Sequence, residues 1–231
     1  MKHSAIVGGS TAKRVIACPG SVHLCQQYPD KPAGKYADAG TLLHDIMANY
    51  LEDEKYDPES AIGITLNDAT VTREVYEDKI IPAINLFNEY FDELESDINA
   101  TTEVETERTV GFGAFLPNVY GTCDVIGRVG KRAIILDWKF GDGVAVDAES
   151  NSQLLFYAAA AMRTAETKWA FKGATELELV IIQPPVIRRW VTNFETVKHF
   201  ETELKAAVKI ATGETAETYL DQGDHCRFCR A

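Results

Sequence analysis

Two aspartates thirteen positions apart, each set among apolar and β-branched residues, constrain this chain more than any other feature. Asp124 opens the run Asp124-Val-Ile-Gly-Arg-Val129, and Asp137 lies near the end of Ala133-Ile-Ile-Leu-Asp-Trp138; both runs predict β-strands. Gly130-Lys131 lies between them. Glycine at the first central position suits a two-residue type II′ loop, which pairs Val129 with Arg132 and Arg128 with Ala133. Counted outward, Asp124 faces Asp137. Directly opposed residues share a sheet face with Cβ atoms roughly 4.5–5.5 Å apart, and like charges placed there are destabilising unless something compensates them. A divalent cation would do so. Lys139 projects from the same face as Asp137, because side chains alternate along a strand. Either two carboxylates and an ammonium converge on a metal, or this is an ordinary hairpin whose aspartates point to solvent.

The convergent arrangement has a definite chemistry. Mg²⁺ and Mn²⁺ favour oxygen ligands and keep several waters, so two carboxylates leave coordination sites open for a phosphate and an attacking water. The ion polarises the phosphate and activates the water, and a neighbouring lysine neutralises developing charge. This is phosphodiester hydrolysis. Gly40-Thr-Leu-Leu-His44 falls in Ala39–Glu52, where Leu43, Met47, Tyr50 and Leu51 form a helical stripe; on its own, His44 is a packed or exposed histidine. Gln153 and Tyr157 are four apart in Ser150–Arg163, so a helix there puts them on one face, where alone they supply a polar edge and a packing ring. Glu103, Glu105 and Glu107 alternate along an expected strand at Thr102–Val110. One of them could add a carboxylate to the site, although solvation is the plainer expectation.

Gly121-x-x-Asp124, Asp137-x-Lys139 and Gln153-x-x-x-Tyr157 follow in the order and spacing of the PD-(D/E)XK nucleases, and together with His44 the chain resembles the RecB-like branch. The resemblance lies in ordered motifs from Cys18 to Cys229. It implies an α/β (α+β) fold, a central mixed β-sheet flanked by helices with a restriction-endonuclease-like core. It implies metal ligation by His44, Asp124, Asp137 and the backbone carbonyl of Trp138, with Lys139 as the catalytic lysine and Gln153 and Tyr157 positioning substrate and active-site groups. The cofactor implied is Mg²⁺ or Mn²⁺, and imidazole ligation by His44 would favour manganese. The substrate implied is DNA, at ends or single strands, cleaved by an exonuclease of phage or mobile-element recombination or repair. A catalytically inactive DNA-binding or assembly subunit of the same fold is the alternative, and the intact Asp124, Asp137 and Lys139 speak against it.

Five cysteines carry a second signal, with Cys226-Arg-Phe-Cys229 forming a two-thiolate clip of the kind that holds zinc or an iron–sulfur cluster. In some RecB-like nucleases one upstream cysteine and three near the C-terminus hold a [4Fe–4S] cluster; Cys18, Cys226 and Cys229 match three of those positions. For the fourth, either the sequence is part of a longer chain, or Cys25 supplies it, or His225 helps build a Zn²⁺ site instead. A pair of free thiols or a disulfide is the alternative reading of the clip, and a reducing setting makes metal the better one. Cys123, beside Asp124, is expected to turn away from the site as a buried small hydrophobe.

Composition sets the outer limits. No apolar run reaches transmembrane length, and Met1–Ser10 lacks the apolar core of a signal peptide, so no membrane role and a reducing, cytoplasmic setting are expected. A single domain is expected, with a helical part over about 1–100, a core over about 101–212 and the cysteine clip over about 213–231. A net charge of −12 opposes nucleic-acid binding, which usually rests on Lys and Arg. Much of that acidity lies in Glu89–Glu107 and Glu195–Asp224, while Lys13, Arg14, Lys131, Arg132, Arg188 and Arg189 could form a positive track or simply be solvated. The remaining expected elements are a helix near Ser10–Ala17, a loop at Glu52–Ser60, and a long amphipathic helix over Val71–Leu94 kinked or broken at Pro82. A strand over Glu176–Gln183 stopped by Pro184-Pro185, a returning strand at Arg188–Val191 and a helix over Phe194–Ala211 complete the chain.

Overall fold

The computed structural model of the chain describes residues 4–29, 34–227 and 229–231. Met1–His3 of the segment tested for a signal peptide, and Phe228 inside the cysteine clip, lie outside them. The chain begins with a 3₁₀ turn, Gly9–Thr11, leading into α1 (Ala12–Ala17), then α2 (Ser21–Gln26) and α3 (Lys35–Glu52). Helix α3 starts earlier than the stripe of apolar residues predicts, because Gly34, in extended conformation, caps it from outside. A small hairpin, β1 (Thr65–Leu66) and β2 (Ala69–Thr70), follows, and Asn67 supplies the left-handed turn residue.

Three helical pieces run together next: α4 (Arg73–Val75), capped by the Thr72 hydroxyl, a π-helical stretch Tyr76–Ile80, and α5 (Ile81–Ile98). Pro82 therefore does not break the run. Its missing N–H and its ring are accommodated by the wider turn just ahead of it, and the helix continues to a left-handed Asn99.

Five strands form one mixed sheet in the order β3 (Thr102–Gly111), β4 (Tyr120–Val129), β5 (Arg132–Trp138), β6 (Glu176–Gln183) and β7 (Val186–Thr192). Strands β3, β4 and β5 are antiparallel neighbours, and Val129 pairs with Arg132 as the loop count predicts. Gly130 takes φ 55°, the left-handed position that such a loop needs at its first residue, and a side chain there would also strike Ile98 at 2.7 Å. Strand β5 then runs parallel to β6 through the crossover helix α6 (Ser152–Ala161), whose first turn is capped by Asn151. Pro184-Pro185, joined by a cis peptide, turns the chain into β7, and α7 (Phe194–Ala211), capped by Asn193, closes the core.

Helices cover both faces of the sheet, which is a mixed α/β fold. On one face α1, α6 and α7 bury Val15, Leu154, Phe156, Phe200 and Leu204 against Ile126, Ile135, Leu177 and Leu179. On the other, α3 and α5 bury Leu43, Met47, Phe87, Phe91 and Leu94 against Val125, Ile134, Leu136, Trp138 and Val180. Helix α6 is buried all round, from Leu154 to Ala161, so the small side chains Ala158 to Ala161 are what allow it to sit between sheet and α7. No helix among the described residues is long and apolar enough to cross a membrane.

Candidate metal centre

The β4–β5 ladder ends at Val125–Leu136, one residue short of the aspartates. Beyond it Asp124 does not simply stand opposite Asp137. Its Oδ2 accepts the Trp138 N–H at 2.8 Å, doing with a side chain what a backbone carbonyl would do in a continued ladder. Trp138 is held from the other side by its ring, which packs 5.6 Å from that of Phe87.

The partner strand is distorted at the same level. Glu107 has φ 48°, a left-handed backbone inside a strand, while its neighbours keep register: Thr106 pairs with Val125 and Arg108 with Cys123. Across this level the strands exchange faces. Val104 and Val125 pack on the α3 side of the sheet, whereas Val110 and Cys123, whose parity in regular strands would match theirs, pack on the α6 side. Cys123 is fully buried there, away from the site, and burial holds its thiol far up toward the neutral form.

The distortion brings Glu107 to Asp124 and to His44 of α3. Ligand atoms of His44, Glu107 and Asp124 all lie within 4.8 Å of one another, and His44 Nδ1 is 3.3 Å from Asp124 Oδ2. Burial opposes a charge on His44, but the Asp124 carboxylate, with Asp137 behind it, outweighs burial and lifts its pKa to about 9. Glu107 is pushed up to about 7, by burial and then by the Asp124 charge. A proton on His44 thus does in the metal-free protein what a cation would do: it offsets neighbouring carboxylates.

Asp137 belongs to an adjoining set. It is 1% exposed; Oδ1 accepts from Gln153 Nε2 at 2.7 Å, and Oδ2 lies 2.5 Å from Lys139 Nζ in an ion pair whose angles make no hydrogen bond. Burial raises the Asp137 pKa, Lys139 opposes the shift and Asp124 adds to it. Lys139 also donates to Gln153 Oε1 at 3.1 Å, and since an ammonium can only donate, this fixes which end of the Gln153 amide faces which partner. Gln153 Nε2 is 3.3 Å from the Tyr157 hydroxyl, one turn along α6.

Tyr157 in turn requires glycine on two sides. A Cβ on Gly9 would fall 2.5 Å from its ring and one on Gly121 3.2 Å, which accounts for the glycine that opens the Gly121-x-x-Asp124 motif. Gly9 belongs to a lip, Gly8–Thr11, on a cleft of about 530 Å³ lined by His44, Asp124, Asp137, Lys139, Gln153 and Tyr157 together. A second hollow of about 570 Å³, reaching Lys13 and Asn151, shares Gly9, Ser10, Lys139 and Gln153 with the first, so the cleft continues past the lysine.

The expected residues come together in two adjoining sets. The mutually close ligand atoms are those of His44, Asp124 and Glu107, one of the three alternating glutamates, while the Asp137 oxygens are engaged by Lys139 and Gln153. The basic track is largely committed elsewhere. Arg132 and Arg189 both bind Glu178, which is fully buried; Arg188 faces Asp147, and Arg14 donates to Ser21 and Cys25. The cysteines do not form one set. Cys25 and Cys229 approach to 3.6 Å between sulfurs, while Cys18 accepts from the Asp221 N–H at 3.3 Å and Cys226 is exposed; among the described residues no three thiols lie within metal-sharing distance. The lip at Gly8–Thr11 carried no signal of its own beyond a pair of glycines before a helix.

A mixed sheet with helices on both faces and an imidazole–carboxylate cluster at the end of its central strands defines an α/β protein with a candidate metal centre. The chain belongs to the family described as "Protein of unknown function (DUF2800)", whose model matches residues 3–231. Among solved structures it is similar to one titled "Crystal structure of SSO0001", at 13% identity over 99% of this chain and 85% of that one, with a TM-score of 0.35. That likeness is too distant to bear on function.

Proposed function

We propose that this protein is a metal-dependent DNA nuclease of the RecB-like PD-(D/E)XK class, acting on ends or single strands. One observation carries the reading: the buried Asp137, with Lys139 and Gln153 on its oxygens, lines the same cleft as His44 and Asp124, and Glu107 lies against those two. The donor atoms, one imidazole nitrogen and several carboxylate oxygens, fit a divalent cation of the Mn²⁺ or Mg²⁺ type, and His44 and Glu107 hold their protons unusually tightly in its absence. Bound there, such an ion would supply Lewis acidity toward a phosphoryl oxygen and a more acidic water.

The protein's own side chains do the rest. His44, Glu107 and Asp124 hold the ion, with Asp137 and the Trp138 carbonyl completing its surroundings. Lys139, carried at the cleft surface and steadied by Gln153, meets the charge that develops on the phosphate; burial works against its own charge, but Asp137 more than restores it, so it stays protonated. Tyr157 keeps Gln153 in place. The cysteines at the junction of α2 and the C-terminal tail are proposed as ligands of a structural [4Fe–4S] cluster or Zn²⁺, for which Cys18 and Cys226 would have to close on the Cys25–Cys229 pair.

The test is degradation of linear DNA with Mn²⁺ or Mg²⁺ by the wild type, Asp137→Ala and Lys139→Ala. Removing a residue that acts on the reacting phosphate is expected to lower the rate by about a hundredfold or more. Equal activity in all three proteins would refute the catalytic assignment and leave the fold with a binding or assembly role.

A further inference from the structure

Beside the metal cleft lies a second, chemically different hollow. It has a volume of about 360 Å³, is bounded by Tyr36, Leu43, Val71, Val75 and Phe140, and shares Gly40 with the cleft. That size falls in the roughly 300–1,000 Å³ range of small-molecule sites. Its walls are mainly apolar, with Thr70 and Thr72 among them, and Lys79 at its edge is neutralised by an ion pair with Asp142. The wall between the two hollows is a pair of rings, His44 toward the metal side and Phe140 toward the apolar side, with centroids 5.7 Å apart and nearly perpendicular. At the mouth stands Tyr36, 90% exposed, an aromatic face in water with nothing packed on it.

We propose that this hollow receives one unstacked nucleobase of a single-stranded substrate, the base next to the phosphate held in the metal cleft. The proposal rests on the nuclease reading and adds what makes the substrate single-stranded. A phosphodiester at His44 and Lys139 carries a nucleoside on either side, and the hollow adjoins that position across one pair of rings. A base has a neutral π-face, which matches an apolar, charge-compensated pocket with an exposed tyrosine at its rim; a phosphate does not. Stacking on an aromatic ring is also tolerant of sequence, since every base offers the same face. A paired base within a duplex cannot enter, so the geometry selects frayed ends and single strands. In a chain of net charge −12 whose arginines are largely ion-paired, stacking supplies affinity that the phosphate backbone cannot.

The experiment uses the full chain with Mn²⁺ and short single-stranded oligonucleotides, each with one abasic position moved stepwise along the strand. In the wild type and in Tyr36→Phe, one abasic position next to the cleaved bond is expected to raise KM by about fivefold to a hundredfold, the range for one stacked base. Tyr36→Ala is expected to raise KM on the intact strand by a similar factor and to become insensitive to that one abasic position. Tyr36 is exposed, so its loss leaves the core untouched. If cleavage proceeds but no abasic position matters to the wild type, or if Tyr36→Ala matches the wild type on the intact strand, the pocket assignment is overturned and the nuclease reading stands. If the wild type cleaves nothing, both fall together.

Discussion

Glu107 is the residue on which the candidate metal centre turns, and side-chain patterns do not single it out from Glu103 and Glu105. In a regular strand it would be another exposed acid in an alternating row. A left-handed φ of 48° moves its carboxylate to His44 and Asp124, and a backbone angle leaves no mark in hydrophobic periodicity. Asp124, Asp137 and Lys139 were legible because strand alternation and loop length determine where they fall. Which oxygens remain open to a metal was not, since that depends on Gln153 arriving from α6. The protonation of the site yields a prediction. His44, near 9, and Glu107, near 7, both hold protons in the metal-free protein that a cation must displace. Affinity for Mn²⁺ should therefore rise with pH, by about tenfold per unit between about pH 7 and 8, where His44 alone releases a proton, and more steeply below about pH 7, where Glu107 also contributes. Stability has the opposite sign: these raised groups bind protons more tightly folded than unfolded, so the metal-free protein loses their contribution as pH climbs from about 5 through 9. Calorimetric titrations with Mn²⁺ across this range check the slope, and an affinity independent of pH would remove His44 and Glu107 from the ligand set.

At the level of elements, the strands followed from local chemistry, with a glycine loop between β4 and β5 and two prolines between β6 and β7, while the asparagine caps ahead of α6 and α7 emerged only in the structure. Interactions between elements were hidden. Glu178, in an otherwise apolar β6, looks from sequence like an exposed strand position, yet it is fully buried and binds Arg132 of β5 at 3.0 Å and Arg189 of β7 at 2.7 Å. The three central charges lace neighbouring strands together and withdraw two arginines from any basic track. Glu178→Ala would remove the one buried carboxylate that both guanidinium groups share, while Arg132 keeps Glu176 and Arg189 keeps Glu93, so a cost of about 1.5–3 kcal/mol in unfolding free energy is expected. Denaturant unfolding measures this directly. A loss below about 1 kcal/mol, the figure for an exposed pair, would mean that water reaches the site and that the network is peripheral.

On the scale of the whole molecule, the first and last described segments are fastened together. Gly20, between α1 and α2, donates its N–H to the Tyr219 carbonyl at 2.9 Å, and a Cβ there would come within 2.6 Å of the Ala216 carbonyl. Arg230 donates to the Cys25 carbonyl at 2.8 Å, beside the Cys25–Cys229 contact. Helix α1 leaves this junction and ends, at its other end, in the lip beside Tyr157. The cysteine spacing hinted that the two ends meet, but the glycine that makes room for the tail could be recognised only in three dimensions. Gly20→Val is expected to dislodge the tail at a cost of about 1–3 kcal/mol, as overpacking typically does, with faster labelling of Cys229 by a thiol reagent. Unchanged labelling would show that the tail is held by other contacts. The exchange of faces at Glu107 and Asp124 reaches further. Strike both residues from the chain and alternation from Val104 to Val110 and from Gly121 to Val129 becomes unbroken, with the core side chains still on their present sides. The candidate metal centre is a rung interpolated into a ladder that would close without it, so two codons inserted or deleted opposite each other would add or remove the Glu107–Asp124 pair and leave the rest of the core on its present sides.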